Sequence, residues 1–412
     1  MMRTNIEIEE AIQLIISHTP HPAAEQVAAK DAHGRVLAED VTAPIDQPPW
    51  PRSPLDGYAF HAADSRGASK VSPVTLEVVD TVYAGGVCRI SVPRGKAVRI
   101  MTGAPIPADC DCVLRQEDTD FGVEQVQVYQ ELQPYDNYCY AGEDFRRGDV
   151  ILRKGTRLAG NAMGILASAG MLRDDVQLPV FRQVRCALFC TGYELVGCNV
   201  RPLPPGKIYS SNAALLAARL AELGIEITAC EEAFGDSAAQ LAAAIRKVSE
   251  KADLILTSGA VSVGAKDILH ETLDLLGAQK VFWKVRLKPG SPLIFSLAAF
   301  PSAGAVPILS LSGNPFAASA TFELFARPLL AGMAGCDDLQ PVITEGILDT
   351  PFPKGGRMRR FVRGVFCNGH VTLPQGHASG QLASAAGTNC LAEIPADGAP
   401  VPAGARLKVW LL

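Results

Sequence analysis

Several short stretches of this chain place small residues and a single acid directly after an apolar run, and these are where it could do chemistry. Residues 257–270 read TSGAVSVGAKDILH, and the DLIL before them is short, apolar and strand-like. Gly259, Ala260, Ser262 and Gly264 give up side-chain bulk, and Asp267 opens a new apolar pattern. Glycines after a strand let backbone N–H groups approach a ligand, and the start of a following helix favours anions. Ser258 and Ser262 add hydroxyl donors. An acid in the place of Asp267 can hold Mg²⁺ beside phosphate oxygens, or simply cap the helix. Three further strand ends repeat the theme: Thr191, Gly192 and Glu194 in TGYE, Asp236 in FGD, and Ser312, Gly313, Asn314 and Pro315 in SGNP. None of these is a Walker A loop or a GxGxxG turn, which disfavours a triphosphatase or a dinucleotide enzyme.

A second group is cationic. In FWKVRLKPG, Lys284, Arg286 and Lys288 alternate. On a strand they share one face, where an anion can lie, although lysines also guard solvated edge strands. Asp56 in SPLDGYAF and Thr102 in RIMTGAPIP follow turn signals, and turns alone account for both. Cys110 and Cys112 flank Asp111, a spacing read as a partly buried strand in preference to a metal site. The sequence shows no sign of a Ser–His–Asp triad, and its seven histidines form no metal-like spacing.

The elements that must position these residues are legible as periodicities. Residues 184–331 alternate strand-like runs with helical patterns, which implies a parallel sheet wound on both faces. In such a sheet ligands sit beyond the carboxyl ends of the strands, so the four strand ends should share one edge. Residues 71–135 and 340–412 read as short strands between Gly and Pro turns. Residues 43–54 hold five prolines, as a linker or an ordered surface loop does. Thr4 or Asn5 is expected to cap a first helix carrying Ile8, Ile12 and Ile15. The fold class is thus α/β and multidomain: a doubly wound parallel-sheet domain plus mostly β domains. The expected divisions are 1–44 with 145–180 as a helical or mixed linking domain, 45–144 as a β domain, 181–332 as the α/β domain and 333–412 as a C-terminal β domain.

Bulk properties agree with a globular protein of several domains. The 412 residues are 48% hydrophobic and 20% charged, and at roughly 100–200 residues per domain about three are expected. A net charge of −5 gives no general attraction to nucleic acid or anionic lipid. No apolar run reaches the roughly 18 residues of a membrane span. The acidic, amphipathic start is unlike a signal peptide, and eleven scattered cysteines without a CxxC pair read as reduced thiols in a cytoplasmic protein.

The longer motifs carry a resemblance. SPLDGYAF, RIMTGAPIPADCDCVLRQED, AGEDFRRGDVILRKGTRL, TGYEL, TSGAVSVGAKD, FWKVRLKPG, LSGNP and GHASGQLASAAGTN stand in the order found in molybdopterin molybdenumtransferases, the MoeA family to which the gephyrin E domain also belongs. The resemblance spans essentially the whole chain. It implies a molybdopterin-binding α/β domain and insertion of molybdate into adenylylated molybdopterin, releasing AMP and molybdenum cofactor with the help of Mg²⁺. It also implies a homodimer whose active site is shared between subunits, with molybdoenzymes or other cofactor-biosynthesis proteins as further partners. By motif, Asp56, Thr102, Asp144, Glu194, Asp236, Asp267, Lys284 and Lys288 occupy functional positions, with Asp236 and Asp267 as metal ligands. The chain departs from the pattern at Tyr193, Ala260, Ala265, Lys266 and Ser291, and at Tyr138-Cys139-Tyr140 ahead of GED. These departures admit a divergent relative that binds or hands over the pterin without catalysis, or that handles another oxyanion such as tungstate.

Overall fold

The computed structural model describes residues 2–235, 237–261, 268–301, 303–353, 355–396 and 398–412. The chain forms two compact units, one of Met1–Gln26, Gly34–Ala38 and Pro179–Leu412, the other of Val27–His33 and Glu39–Leu178.

The first unit is built on a seven-stranded sheet. Gly304–Leu311, Leu254–Ser258, Arg185–Thr191 and Glu226–Phe234 lie side by side and parallel. Their residues alternate between two cores. Cys186, Leu188 and Cys190 face one side with Leu216 and Leu220 of the helix Ser211–Glu222. Ala187 and Phe189 face the other with Leu241 and Ile245 of Ala238–Val248 and Leu273 of Leu269–Leu275. Strands covered on both faces can be apolar at every position, which is why LILTS is buried throughout.

The rest of the sheet is mixed. Ile294–Phe300 runs antiparallel to Gly304–Leu311 and to Gln279–Val285, and Arg3–Ile6 joins the edge parallel to Gln279–Val285. Thr4 and Asn5 therefore belong to a strand and cap nothing. The first helix is Ile8–Ser17, entered from Glu7 without a side-chain cap, and its apolar stripe buries Ile8 and Ile15. An eight-residue connection between antiparallel neighbours needs no crossover helix, and this is where a strictly parallel reading of the sequence fails.

The C-terminal segment forms a second sheet in which Arg359–Cys367, His370–Thr372, Val342–Leu348, Arg406–Leu411 and Cys390–Ile394 follow one another, and the pairing of Cys390–Ile394 with Arg359–Cys367 closes a small barrel. Leu287–Lys288 adds to its edge.

In the other unit a five-stranded sheet orders Cys112–Arg115, Gly57–Phe60, Lys96–Ile100, Val74–Val82 and Gln125–Val128. Cys112 lies wholly buried in its strand and Cys110 nearly so, and burial pushes the Cys110 thiol up to about 12. Cys112 thus lies in the strand that the sequence suggested, and Cys110 packs just ahead of it. The proline-rich stretch is an ordered loop whose backbone pairs with neighbouring turns, including Arg52 with Cys139 and Gln47 with Phe145.

Candidate functional site

The carboxyl edge of the parallel strands opens into a cleft of ≈ 940 Å³. Three strand ends meet there. Arg185–Thr191 delivers Gly192, Tyr193 and Glu194, Leu254–Ser258 delivers Gly259 and Ala260, and Gly304–Leu311 delivers Ser312, Gly313, Asn314 and Pro315. The contact is backbone to backbone. Gly259 donates its N–H to Leu311 O at 3.1 Å. Its φ is +100°, and a Cβ there would stand 2.1 Å from the Thr191 carbonyl oxygen. A Cβ on Gly313 would stand 3.3 Å from Gly259 Cα. Side-chain bulk is given up at these turns because the strand ends touch.

Buried polar side chains tie the floor together. Asn212 Nδ2 donates to Ser258 Oγ and to Gly313 O, both at 2.8 Å, and Ser258 Oγ donates to Ser312 O at 3.1 Å. Asn212 Oδ1 is buried without a hydrogen-bond partner among the described residues. Asn212 sits in the first turn of Ser211–Glu222, so the N–H end of that helix, with Ser210 and Ser211, also lines the cleft. Such an end favours anions. Reasoning from strand ends alone misses the SSN stretch, residues 210–212. The signal it passed over was that this helix starts beside the TGYE turn, where Ile208–Tyr209 pairs with Leu195–Val196.

Glu194 lies exposed at the mouth. Next to it, the ammonium of Lys207 stands 3.7 Å from the centre of the Tyr193 ring and donates to Tyr193 O. Gly380 and Leu382 reach the cleft from the C-terminal segment; they belong to GHASGQLASAAGTN, a motif whose residue types and spacing suggested no site role. Buried Arg363 holds them there: its guanidinium donates to Ala378 O at 2.8 Å and to Gln381 O, and stacks 3.9 Å from the centre of the Phe316 ring. Ser379 O in turn accepts from Phe316 N–H at 3.1 Å.

Glu194, Ser258, Gly259, Ser312, Gly313, Asn314 and Pro315 are thus brought together as expected. Asp236, Ser262, Gly264 and Asp267, together with Ala265 and Lys266, lie outside the described residues. Lys284 and Lys288 do not line this cleft, and the shared strand face expected for them does not form. Lys284 has φ +64° and lays its ammonium 4.1 Å from the centre of the Trp283 ring. The strand ends at Val285, Arg286 pairs with Glu7 at 2.7 Å, and Lys288 belongs to the edge of the barrel sheet. A one-residue break undoes the alternation on which a shared face depends.

Asp56, Thr102 and Asp144 lie in the second unit, on connected turns. Asp56 Oδ1 accepts from Thr102 N–H at 2.7 Å and from the Thr102 hydroxyl at 2.8 Å. The amide first, and the hydroxyl second, hold the Asp56 carboxyl below the usual carboxylate range. Ser53 exchanges backbone hydrogen bonds with Ala104 and Gly103, and Asp144 donates its N–H to Gln47 O at 2.9 Å. One loop, residues 47–56, therefore positions all three.

A doubly wound α/β sheet with a glycine-built cleft at its carboxyl edge, in a chain that also forms two smaller β sheets, marks a protein that takes a small ligand there. Residues 6–170 match the family region described as MoeA N-terminal region (domain I and II), 187–332 the probable molybdopterin binding domain, and 345–412 the MoeA C-terminal region (domain IV). The chain belongs to the MoeA family of molybdopterin molybdenumtransferases, enzymes of molybdenum cofactor biosynthesis. It is 34% identical over 418 residues to the molybdopterin molybdenumtransferase of Bacillus subtilis (strain 168), covering 100% of this chain and 95% of that protein. It is 34% identical over 394 residues to molybdopterin molybdenumtransferase 2 of Mycobacterium tuberculosis (strain ATCC 25618 / H37Rv), covering 93% of this chain and 94% of that protein. The crystal structure of the molybdopterin biosynthesis moeA protein from Pyrococcus horikoshii OT3 superposes with a TM-score of 0.84 at 27% identity, over 99% of this chain and 100% of that one. A pterin carrier without catalysis, or a relative devoted to another oxyanion, is not favoured by these matches.

Proposed function

We propose that the chain inserts molybdate into adenylylated molybdopterin, releasing AMP and the molybdenum cofactor, in a Mg²⁺-dependent reaction. The observation that carries this reading is the convergence of three strand ends and one helix start on a single cleft lined with backbone, serine hydroxyls and the Glu194 carboxylate. Backbone N–H groups and hydroxyls suit the phosphates of an adenylylated substrate, and excluding side chains at Gly259 and Gly313 allows close approach. In this reading Ser258, Gly259, Ser262, Gly264, Ser312, Gly313, Asn314 and Pro315 form the phosphate cradle, and Lys284 and Lys288, which do not line the cleft, act on the substrate only from outside that cradle. Asp56, Thr102, Asp144, Glu194, Asp236 and Asp267 serve the reacting groups. Asp236 and Asp267 would hold Mg²⁺, whose charge neutralises phosphate oxygens during transfer. Carboxylate oxygens fit such a hard cation, and among the described residues no three His, Cys, Asp or Glu side chains gather as an alternative metal site.

The proposal extends to assembly and setting. The division into 1–44 with 145–180, 45–144, 181–332 and 333–412, a homodimer in which Asp56 and Thr102 serve the partner's α/β domain, and a cytoplasmic location all belong to it. So do hand-over contacts with molybdoenzymes or other cofactor-biosynthesis proteins. Among the described residues no helix is long and apolar enough to cross a membrane.

The deciding experiment mixes purified protein with adenylylated molybdopterin, Mg²⁺ and molybdate and measures AMP. Molybdate-dependent AMP release is expected, abolished by chelating Mg²⁺ and strongly reduced in Asp267→Asn. AMP release no faster than without protein would overturn the reading.

A further inference from the structure

The C-terminal barrel borders a cavity of its own, outside the cleft. Along the strand Arg406–Leu411, Leu407 and Val409 turn into the barrel core, so Arg406, Lys408 and Trp410 stand on the outer face. Trp410 is buried there with Phe361 and Leu391 against the core of the α/β sheet, its ring 6.0 Å from that of Phe361. Two residues earlier the same face turns cationic, and a cavity of ≈ 570 Å³ opens beside it. Met358 and Pro395 give this cavity an apolar lining. Glu7 and Arg286 reach it from the edge of the α/β sheet, where Arg286 N–H donates to Ile6 O at 2.9 Å. The cavity and the cleft share no lining residue.

Five cations line the cavity, Arg286, Arg357, Arg359, Arg406 and Lys408, against two carboxylates, Glu7 and Glu393. The whole chain carries a net charge of −5, so the excess is local. Like charges gathered around one space repel unless something offsets them. Part of the offset is internal. Arg359 donates to both oxygens of Glu9, at 2.6 and 2.7 Å, and to Glu393 at 3.1 Å. Arg286 donates to Glu7 at 2.7 Å. The other three cations are not held in this way. Arg406 stands 3.6 Å from Glu345 with the two side chains 77% and 74% exposed, and such a pair contributes little in water. Arg357 and Lys408 form no ion pair or hydrogen bond by their side chains among the described residues.

Two features set the class of ligand. Three cations without a firm partner, on two separate segments of the barrel, call for more than one negative charge. A carboxylate offers two oxygens, which a single guanidinium fork can occupy, whereas a chain of phosphates has oxygens for several donors at once. The apolar lining then suits an uncharged body joined to the phosphates, and sites of roughly 300–1,000 Å³ commonly take small molecules. We infer that this cavity binds a multiply charged phosphate ester with a flat or apolar body, the chemistry of a nucleoside polyphosphate. The inference does not rest on the transferase reading, because it uses none of the cleft's residues.

The test titrates the full-length protein by calorimetry with inorganic tripolyphosphate, ATP and citrate, each in excess AMP so that a cleft that takes adenylate is filled. Tripolyphosphate should bind wild type, and Arg357→Gln combined with Lys408→Gln should weaken it about tenfold. Arg406→Gln combined with Lys408→Gln is a second pair and should act alike. Lys247→Gln combined with Lys251→Gln removes two exposed cations that line neither space, and should leave affinity within about twofold of wild type. Citrate should bind about tenfold more weakly than tripolyphosphate. ATP should bind more tightly than tripolyphosphate, and Met358→Ser should remove that advantage while leaving tripolyphosphate within about twofold. Unchanged denaturation midpoints show that the variants are folded. Tripolyphosphate affinity equal in wild type and both cavity pairs overturns the site, as does wild type that binds no probe. A Lys247 and Lys251 pair that loses as much overturns it too, since the binding is then general attraction to charge. Citrate as tight as tripolyphosphate overturns the phosphate class, and ATP no tighter than tripolyphosphate overturns the attached body.

Discussion

The cleft in the α/β sheet and the Asp56 loop in the β unit are held by different means. In the cleft, Gly259 and Gly313 meet at van der Waals distance, and Asn212 and Ser258 make their hydrogen bonds away from water. In the loop, Thr102 is exposed and binds Asp56 at the surface, where water competes for both partners. Interior packing tolerates little change of volume, and a buried polar group left unpaired costs far more than an exposed one. The cleft should therefore lose its fold when altered, and the loop should lose function with its fold intact.

The largest effect is expected from Gly259→Ala. The new methyl would collide with the Thr191 carbonyl, and the residue would have to keep φ near +100°. Strain and overpacking together should cost on the order of 3 kcal/mol, measured by denaturant unfolding of the purified protein. A cost below about 1 kcal/mol, in the range of an ordinary substitution, would mean that the strand ends are not in backbone contact, and the contrast with the loop would weaken.

Asn212→Ala comes next. It removes both amide hydrogen bonds and leaves Gly313 O short of a donor in a part-buried place. A loss of about 1–3 kcal/mol is expected. Molybdate-dependent AMP release should fall with it, because Ser258 and Gly313 lose their common tie. If stability is unchanged while AMP release drops, Asn212 serves the ligand and does not hold the floor.

The two regions also differ in how well the sequence announced them. The strand ends were legible because apolar runs ending in Gly and Ser are dictated by burial and backbone contact, and both leave marks in residue type. The doubly wound order followed from the alternation of elements. What the sequence did not disclose depends on conformation at single residues. Lys284 adopts φ +64°, so the alternation that put Lys284 and Lys288 on one face does not persist. Arg363 looks like any strand arginine, yet it is buried and holds residues 378–381 against Phe316. Asp56 and Thr102 each read as a turn, and their hydrogen bond joins positions 46 apart in the chain, a pairing that local pattern cannot reveal.

A smaller change with the opposite sign is expected at Ala260. Its φ of +51° puts a Cβ-bearing residue in the left-handed region. Glycine enters that region freely, although it also gains freedom in the unfolded chain. Ala260→Gly should therefore stabilise by no more than about 1 kcal/mol, seen as a modest rise in the denaturation midpoint. A destabilisation would show that the Ala260 methyl contributes more by packing against the second core than its backbone loses.

The smallest effect on stability, and the sharpest test of the loop, is Thr102→Val. The folded-state pKa of Asp56 is lowered, chiefly by the Thr102 amide and secondarily by its hydroxyl. A carboxyl with a depressed folded pKa stabilises the fold above its unfolded value of about 3.9, and that contribution is lost as pH falls through the lower folded value. The window lies in acid, so near neutral pH the Asp56–Thr102 contact is fully formed and the proposed reaction should show no pH dependence from Asp56. Valine keeps the amide and removes the hydroxyl. The Asp56 carboxyl should then titrate higher than in wild type while staying below the ordinary range, as followed by the carbon-13 shift of its carboxyl group. Because both partners are solvated, the denaturation midpoint at neutral pH should barely move, while AMP release should fall if the turn must present Asp56 in one geometry. A large loss of stability would make this loop as packing-dependent as the cleft. An Asp56 titration that does not move would mean that the amide alone fixes the carboxylate, and Thr102 would then contribute only its backbone.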